Sequence, residues 1–257
     1  MDRTTFDALF DMTGRTVIVT GGTRGIGLAM AEGFALAGAN VVVASRKADA
    51  CDEAAEHLRA LGGGKAIGVP AHVGALEDLD VLVGRTVAEF GGVDVVVNNA
   101  ANALAEPLGS QSAQAWAKSN EVNVRGPVFL VQAALPHLKA SSHAAVLNVV
   151  SVGAFLFAPG LSMYAAAKAA MMSYTRSMAA EFAGDGIRVN ALAPGPVDTH
   201  MMRQNPQQAI DHMVAGTLLK RLASPDEMVG AALLLCSDAG SYITGTVVIV
   251  DGGGTPR

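Results

Sequence analysis

The sequence predicts a doubly wound α/β fold, a three-layer sandwich around a seven-stranded parallel sheet. Three observations carry that expectation. Short β-branched runs alternate with longer alanine- and leucine-rich segments along nearly all of the 257 residues, which is the pattern of βαβ units joined by right-handed crossovers. The strand runs are apolar almost throughout, as in sheets covered on both faces. A content of 51% hydrophobic and only 16% charged residues, with 29 glycines, suits a large core closed by tight turns.

In chain order, Thr16–Thr20 reads as the first strand, and a glycine-rich turn leads from it into a helix at Ile26–Ala37. Val41–Ser45 and Ala66–Pro70 are the next strands, with helices Ala48–Leu61 and Leu76–Phe90 after them. Val93–Asn98 is the fourth strand, and one long helix spans Ala113–Lys139. Strand Ala145–Val150, helix Tyr164–Phe182, strand Arg188–Ala193, helix Pro225–Ser237 and strand Val247–Val250 complete the series. No linker or low-complexity stretch interrupts it, so one domain is expected over 1–257. The longest irregular stretch, Pro194 to about Pro206, is rich in Met and Pro, and a loop of that kind is commonly a lid. We place a substrate lid at about 194–220.

Composition excludes several function classes. The net charge is −5, with no basic cluster of nucleic-acid type. Cys51 and Cys236 are too few and too far apart for a disulfide framework, which points to a reducing cytoplasm. The first residues lack the basic-then-apolar order of a secretory signal, and no apolar run is long enough to span a membrane. The histidines show no ligand spacing, so no metal is expected.

Two features carry chemistry. The first strand runs into Gly21, Thr23, Arg24, Gly25, Ile26 and Gly27 before a helix, a Rossmann-type arrangement in which glycines admit a pyrophosphate and the helix N-terminus supplies free N–H groups. At the end of the second strand stand Ser45 and Arg46, where an NAD site usually places a carboxylate. Arg46 offers a fork of donors for a 2′-phosphate, with Arg24 nearby. NADP(H) is therefore preferred, with NAD(H) possible.

The second feature is Tyr164-Ala-Ala-Ala-Lys168, thirteen residues after Ser151. Residues four apart share a helix face, so the phenol and the ammonium can converge, and a nearby cation draws a phenol pKa down from about 10. The spacing alone also fits an ordinary solvated helix face.

Together these motifs resemble the short-chain dehydrogenase/reductase family, in its single-domain group that includes NADP(H)-dependent carbonyl reductases and 3-oxoacyl reductases. The likeness extends to Asn98-Asn99-Ala100-Ala101, to Asn123, to Asn190 through Gly195, and to Asp251-Gly252-Gly253. It implies that Tyr164 is the general acid or base, that Lys168 lowers its pKa and holds the nicotinamide ribose, that Ser151 binds the substrate oxygen, and that Asn123 completes a proton relay. It further implies that Asn99, Ala100 and Ala101 line the cofactor site and that Pro194, Gly195, Val197 and Thr199 position the nicotinamide. Two departures stand out: Ala101 replaces the usual glycine, and His72-Val73 replaces Asp-Val at the adenine. His72 can still donate or accept there, and a strand-end histidine without a ligand role fits as well.

Val152, Phe155, Phe157 and Met201, with Leu161, Met163 and Met202, are expected to form an apolar substrate wall beside Ser151 and Tyr164. An apolar ketone or aldehyde follows as substrate. A 3-oxoacyl group on acyl carrier protein or CoA is the alternative, against which Asp185 stands where relatives tend to carry a basic residue. A non-catalytic NADP(H) sensor or scaffold is the reading from another class. The alanine- and methionine-rich catalytic helix is apolar nearly all round, as buried helices are, and the resemblance implies a homotetramer.

Overall fold

The computed structural model describes residues 1–156 and 159–255, with Asp7 described by its backbone alone. A short helix α1 (Arg3–Asp7) precedes the sheet. Then come β1 (Thr16–Thr20), α2 (Gly25–Leu36), β2 (Asn40–Ser45), α3 (Ala48–Ala60), β3 (Ala66–Pro70), α4 (Leu76–Phe90) and β4 (Val95–Asn98). The second half contains α5 (Ala113–Asn120), α6 (Gly126–Ala140), β5 (Ala145–Val149), α7 (Ser162–Phe182) and β6 (Arg188–Pro194). It ends with α8 (His200–Arg203), α9 (Gln207–Gly216), α10 (Val229–Cys236) and β7 (Val247–Val250).

The seven strands are all parallel in the order β3-β2-β1-β4-β5-β6-β7. Successive residues of a strand face opposite sides, and β1 divides accordingly. Val17 and Val19 join a core with Met30 and Phe34 of α2, Leu58 of α3 and Leu235 of α10. Ile18 joins the opposite core with Leu79 and Leu82 of α4, Leu130 of α6 and Met178 of α7. The strand order reverses between β1 and β4, and ligands bind at the carboxyl ends beside such a switch point.

Four sequence expectations need correction. Val93 is fully buried but lies outside β4, because the Asp94 carboxylate turns aside to accept from Thr16 N–H at 2.7 Å and from the Ser141 hydroxyl. The long helix is broken by a π turn at Glu121–Arg125, where Gly126 N–H donates five residues back to Glu121. Pro127 explains much of this, since it has no N–H for the Asn123 carbonyl four residues earlier. The stretch after β6 is largely helical: Thr199 caps α8, and Arg203 grips Asp198 with two bonds of 2.7 and 2.8 Å. Finally, Pro225–Met228 is a 3-10 turn started by a Ser224–Glu227 capping box, and α10 begins only at Val229.

Candidate active site at the carboxyl end of the sheet

The glycine turn is fixed by lack of room. A Cβ on Gly27 would stand 2.2 Å from the Gly21 carbonyl oxygen and 2.4 Å from Asn99 Nδ2. Gly21 itself has φ +64, and its N–H donates to Ala44 of β2 at 2.7 Å. Asn99 closes the turn from the side, its Nδ2 donating to the carbonyls of Thr20 and Gly21 at 2.9 and 3.3 Å. The Thr20 hydroxyl accepts from both Asn99 N–H and Ala100 N–H. Only a chain without side-chain bulk can approach this surface. The α2 N-terminus opens above it with no side-chain cap, which fits the pyrophosphate of a dinucleotide. Thr23 and Ile26 flank the turn half-buried, and Ile26 packs on the core.

The other cofactor candidates divide. Arg24 and Arg46 are both exposed at the adjoining strand ends. Ser45 is half-buried and turns its hydroxyl to Cys51 Sγ at 3.3 Å, which leaves Arg46 as the outward-facing member of the pair. His72 Nδ1 accepts from Gly74 N–H at 3.1 Å. The neutral ring therefore carries its proton on Nε2, so His72 offers a donor where a carboxylate would accept. Val73 is buried and Ala101 half-buried on the same rim.

Four residues converge on the crevice from β5, the π turn and the first turns of α7. Ser151 ends the fifth strand region, and its Oγ accepts from Gly153 N–H at 3.1 Å. Its hydroxyl faces the half-buried phenol of Tyr164. Lys168, 4% exposed, stands 5.6 Å from the centroid of the Tyr164 ring and donates to the Val149 carbonyl at 2.7 Å.

The electrostatics differ from the sequence expectation. Burial pushes Tyr164 above its ordinary value, against the opposing pull of Ser151. Burial lowers Lys168 from 10.5 to about 8. Lys168 directs its ammonium at a carbonyl, so desolvation governs both groups. A phenol that keeps its proton suits the acid role in carbonyl reduction.

Asn123 is 1% exposed, and its amide is fully engaged. Its Nδ2 donates to Asn102 O and Oδ1, both at 2.9 Å, and to Ser119 Oγ at 3.2 Å, while its Oδ1 accepts from Asn102 N–H at 3.0 Å. The side chain thus holds the loop after β4, and Pro127 removes the usual helical donor to the backbone carbonyl.

The segment after β6 lies against the glycine turn: a Cβ on Gly25 would meet Thr199 Cγ2 at 3.4 Å. Pro194 ends β6, and Gly195 N–H donates to Val250 O at 3.0 Å. Val197 bridges Ala223 through the groups of its neighbours, as Asp198 N–H donates to Ala223 O and Ala223 N–H to Pro196 O. The backbone N–H and C=O of Val197 itself stay available. Phe155, Leu156 and Met201 are exposed apolar side chains, and Val152, next to Ser151 in the chain, is half-buried. Met163 is more deeply buried than these, at 6% exposure. Phe157 lies outside the described residues.

Several supporting residues escaped the sequence reading. Asn98 Nδ2 donates to Asn148 Oδ1 at 2.9 Å, Asn148 Nδ2 to Thr175 Oγ1 at 2.9 Å, and Thr175 Oγ1 to Met171 O at 2.7 Å. Gln111 reaches Ser162 Oγ at 2.7 Å and ties the loop before α5 to the start of α7. Asn102, Ser119 and Gln111 sit in segments without any motif, so only tertiary contact reveals them. Asp185, expected to present an unopposed negative charge, pairs with Lys139 at 2.9 Å. Among the described residues no helix is long and apolar enough to cross a membrane, and no three His, Cys, Asp or Glu side chains gather around a metal site.

Comparison with known proteins agrees with this arrangement. Residues 20–255 match a family model described as enoyl-(acyl carrier protein) reductase. The human protein named dehydrogenase/reductase SDR family member 4 is 36% identical over 249 residues, 95% of this chain and 88% of that protein. The 3beta-hydroxysteroid dehydrogenase 1 of Eggerthella lenta is 36% identical over 250 residues, 95% of each chain. A structure described as an NAD(P)-dependent gluconate 5-dehydrogenase from Beutenbergia cavernae, with bound NADP, aligns at a TM-score of 0.89 and 36% identity, covering 96% of this chain and 98% of that one. With a parallel sheet reversing at β1 and β4, a glycine cradle and a Ser-Tyr-Lys cluster beside it, the chain belongs to the short-chain dehydrogenase/reductase family of NAD(P)-dependent oxidoreductases acting on CH–OH groups.

Proposed function

We propose that the protein uses NADP(H) to interconvert an apolar ketone or aldehyde with its alcohol, with Tyr164 as the general acid or base. The observation that carries this reading is the Ser151–Tyr164–Lys168 cluster, in which the Ser151 hydroxyl faces the Tyr164 phenol and the Lys168 ammonium stands 5.6 Å from the centre of its ring. When bound, NADP(H) supplies or accepts the hydride. Ser151 orients the carbonyl oxygen and Tyr164 gives it a proton as charge develops there. Lys168 holds the nicotinamide ribose and returns a proton towards Tyr164 through water at the Asn123 backbone carbonyl. Asn123 acts through that carbonyl because its amide is committed to Asn102 and Ser119.

Gly21, Gly25 and Gly27 seat the pyrophosphate, Arg24 and Arg46 take the 2′-phosphate, and the free backbone of Val197 meets the carboxamide. His72 donates from Nε2 to the adenine edge. Residues 194–220 act as the lid over a substrate wall of Phe155, Leu156 and Met201. Support for an apolar substrate comes from the exposure of these three apolar side chains, two of them shortly after Ser151 in the chain and one in the proposed lid.

Reduction of a 3-oxoacyl group stands as the second reading, favoured by the Lys139–Asp185 pair, which removes the main charge objection to an acidic carrier. We place the protein in the cytoplasm as a homotetramer. Trp116, Phe129 and Tyr174 leave apolar surface on α5, α6 and α7, and Ala166 and Ala169 are exposed on α7, which is therefore not buried all round within one chain.

The test is NADPH oxidation, followed at the nicotinamide band, over a panel of apolar ketones, vicinal diketones and acetoacetyl-CoA. Tyr164→Phe should lower turnover by about 10²–10⁴-fold, the usual worth of a positioned proton donor, while NADPH binding changes little. Arg46→Ala should weaken NADPH about tenfold and leave NADH unchanged, as loss of a charge-assisted contact does. Wild-type turnover in Tyr164→Phe would end the proposal.

A further inference from the structure

The motif Asp251-Gly252-Gly253 has no part in the chemistry described so far, yet the far stem of the proposed lid is fastened to it and the near stem packs beside it. The near stem meets it at Gly195, whose N–H donates to Val250 O at 3.0 Å and whose Cβ, were there one, would stand 2.6 Å from Asp251 Cα. The far stem meets it at Leu218 and Leu219, whose N–H groups both donate to Gly252 O at 2.9 and 3.1 Å. The end of β7 and the turn after it therefore meet the two ends of a segment of about twenty residues, the turn holding the far one.

That turn is folded by a single carboxylate. Asp251 is 8% exposed, and its two oxygens accept separately, Oδ1 from Gly253 N–H at 2.9 Å and Oδ2 from Thr255 N–H at 2.7 Å. Its backbone oxygen accepts from Gly254 N–H at 3.3 Å. Gly252 and Gly253 take φ values of +62 and +79, which other residues resist. A Cβ on Gly253 would also press on Leu218 Cδ1 at 2.7 Å. A cavity of about 140 Å³ opens between the stems and the turn, lined by Pro196, Leu219, Val250, Asp251 and Gly252 among others.

We propose that Asp251 is a positioning residue for cofactor and substrate binding: its carboxylate shapes the turn that fastens the far lid stem at Leu218 and Leu219, beside the point where Gly195 meets the end of β7, and so sets how firmly the lid is held. The inference rests on the proposed function for its kinetic consequence, but not for its structural one. Asp251 acts through the turn it folds, which bonds the leucines of the far stem and packs against Gly195.

The experiment pairs limited trypsin digestion with kinetics on the full-length protein. Arg203 is exposed on α8 within the lid, so cleavage there reports how firmly the stems are held. Asp251→Asn keeps the acceptor for Gly253 N–H but sets an NH₂ group against Thr255 N–H. It should speed cleavage at Arg203 about tenfold and raise KM for the carbonyl substrate and Kd for NADPH about tenfold, the size expected for one charge-assisted bond. The maximal rate should stay within about threefold and its pH profile should not move, because the proton-transfer groups are untouched. Gly253→Ala, which displaces Leu218 while keeping the carboxylate, should reproduce the effect and serves if Asp251→Asn does not fold. A lower Tm with unchanged cleavage at Arg203 and unchanged KM would make Asp251 merely structural and overturn the proposal. A wild-type protein that shows lid protection but neither binds nor oxidises NADPH would instead overturn the proposed function and leave the clamp standing.

Discussion

The glycine turn after β1 and the segment after β6 face the same crevice, and they are held there by opposite means. The turn is specified by exclusion: backbone meets backbone at Gly21 and Gly27 with no space for one methyl group. The segment after β6 is specified by attachment at its two ends, while most of its side chains, Met201 among them, are exposed. A site that must fit one invariant ligand gains from the first arrangement, and a site that must open for a substrate gains from the second.

The sharpest way to break this comparison is to place a methyl group in the cradle. Gly27→Ala should weaken NADPH at least about 30-fold and cost about 1–3 kcal/mol of stability, as overpacking does, with titration of cofactor fluorescence and thermal melts as the readouts. A variant that binds normally would mean that the cradle yields as readily as the lid.

Between the two regions stands Lys168, whose pKa is lowered by burial to about 8. Between pH 8 and 10.5 the unfolded chain keeps this proton and the folded chain has lost it, so stability should rise with pH across that window. The full rise attributable to this group is roughly 3 kcal/mol at about 1.4 kcal/mol per unit. Lys168→Met should abolish that part of the rise, measured as urea midpoints at pH 7 and pH 10. An identical pH slope in both proteins would show that the lysine is not desolvated.

The smallest effect belongs to the lid. Met201→Ala should change KM for an apolar ketone by about threefold and leave the Tm within about 1 °C, because an exposed side chain carries little packing. A loss as large as that of Gly27→Ala would erase the distinction.

The same contrast accounts for what could be read beforehand. The strands were legible because both faces of Val17–Val19, Val41–Val43 and Val95–Val97 are covered, which demands unbroken apolar runs. The cradle was legible because steric exclusion leaves glycines behind. The π turn was not, since it depends on Asn123 finding Asn102 twenty-one residues away together with the missing N–H of Pro127. The deep burial of Met163 and the raised pKa of Tyr164 were hidden for a similar reason: depth of burial is set by packing, and no spacing of residue types encodes it. Helix α8 was obscured because its start depends on Thr199 and the Asp198–Arg203 pair, a signal too short to compete with the surrounding Met and Pro.

The buried run Asn98–Asn148–Thr175–Met171 has a consequence for folding rather than for turnover. Parallel strands as uniformly apolar as β4 and β5 could slide past one another at little hydrophobic cost, yet a shift of one residue would turn the Asn98 and Asn148 amides to opposite faces and strand both without partners. Each lost pairing would cost about 1–3 kcal/mol. Three polar side chains thus make the native register of β4 and β5 the one in which each of them finds a partner, and that register is the one that brings Ser151 and Tyr164 face to face.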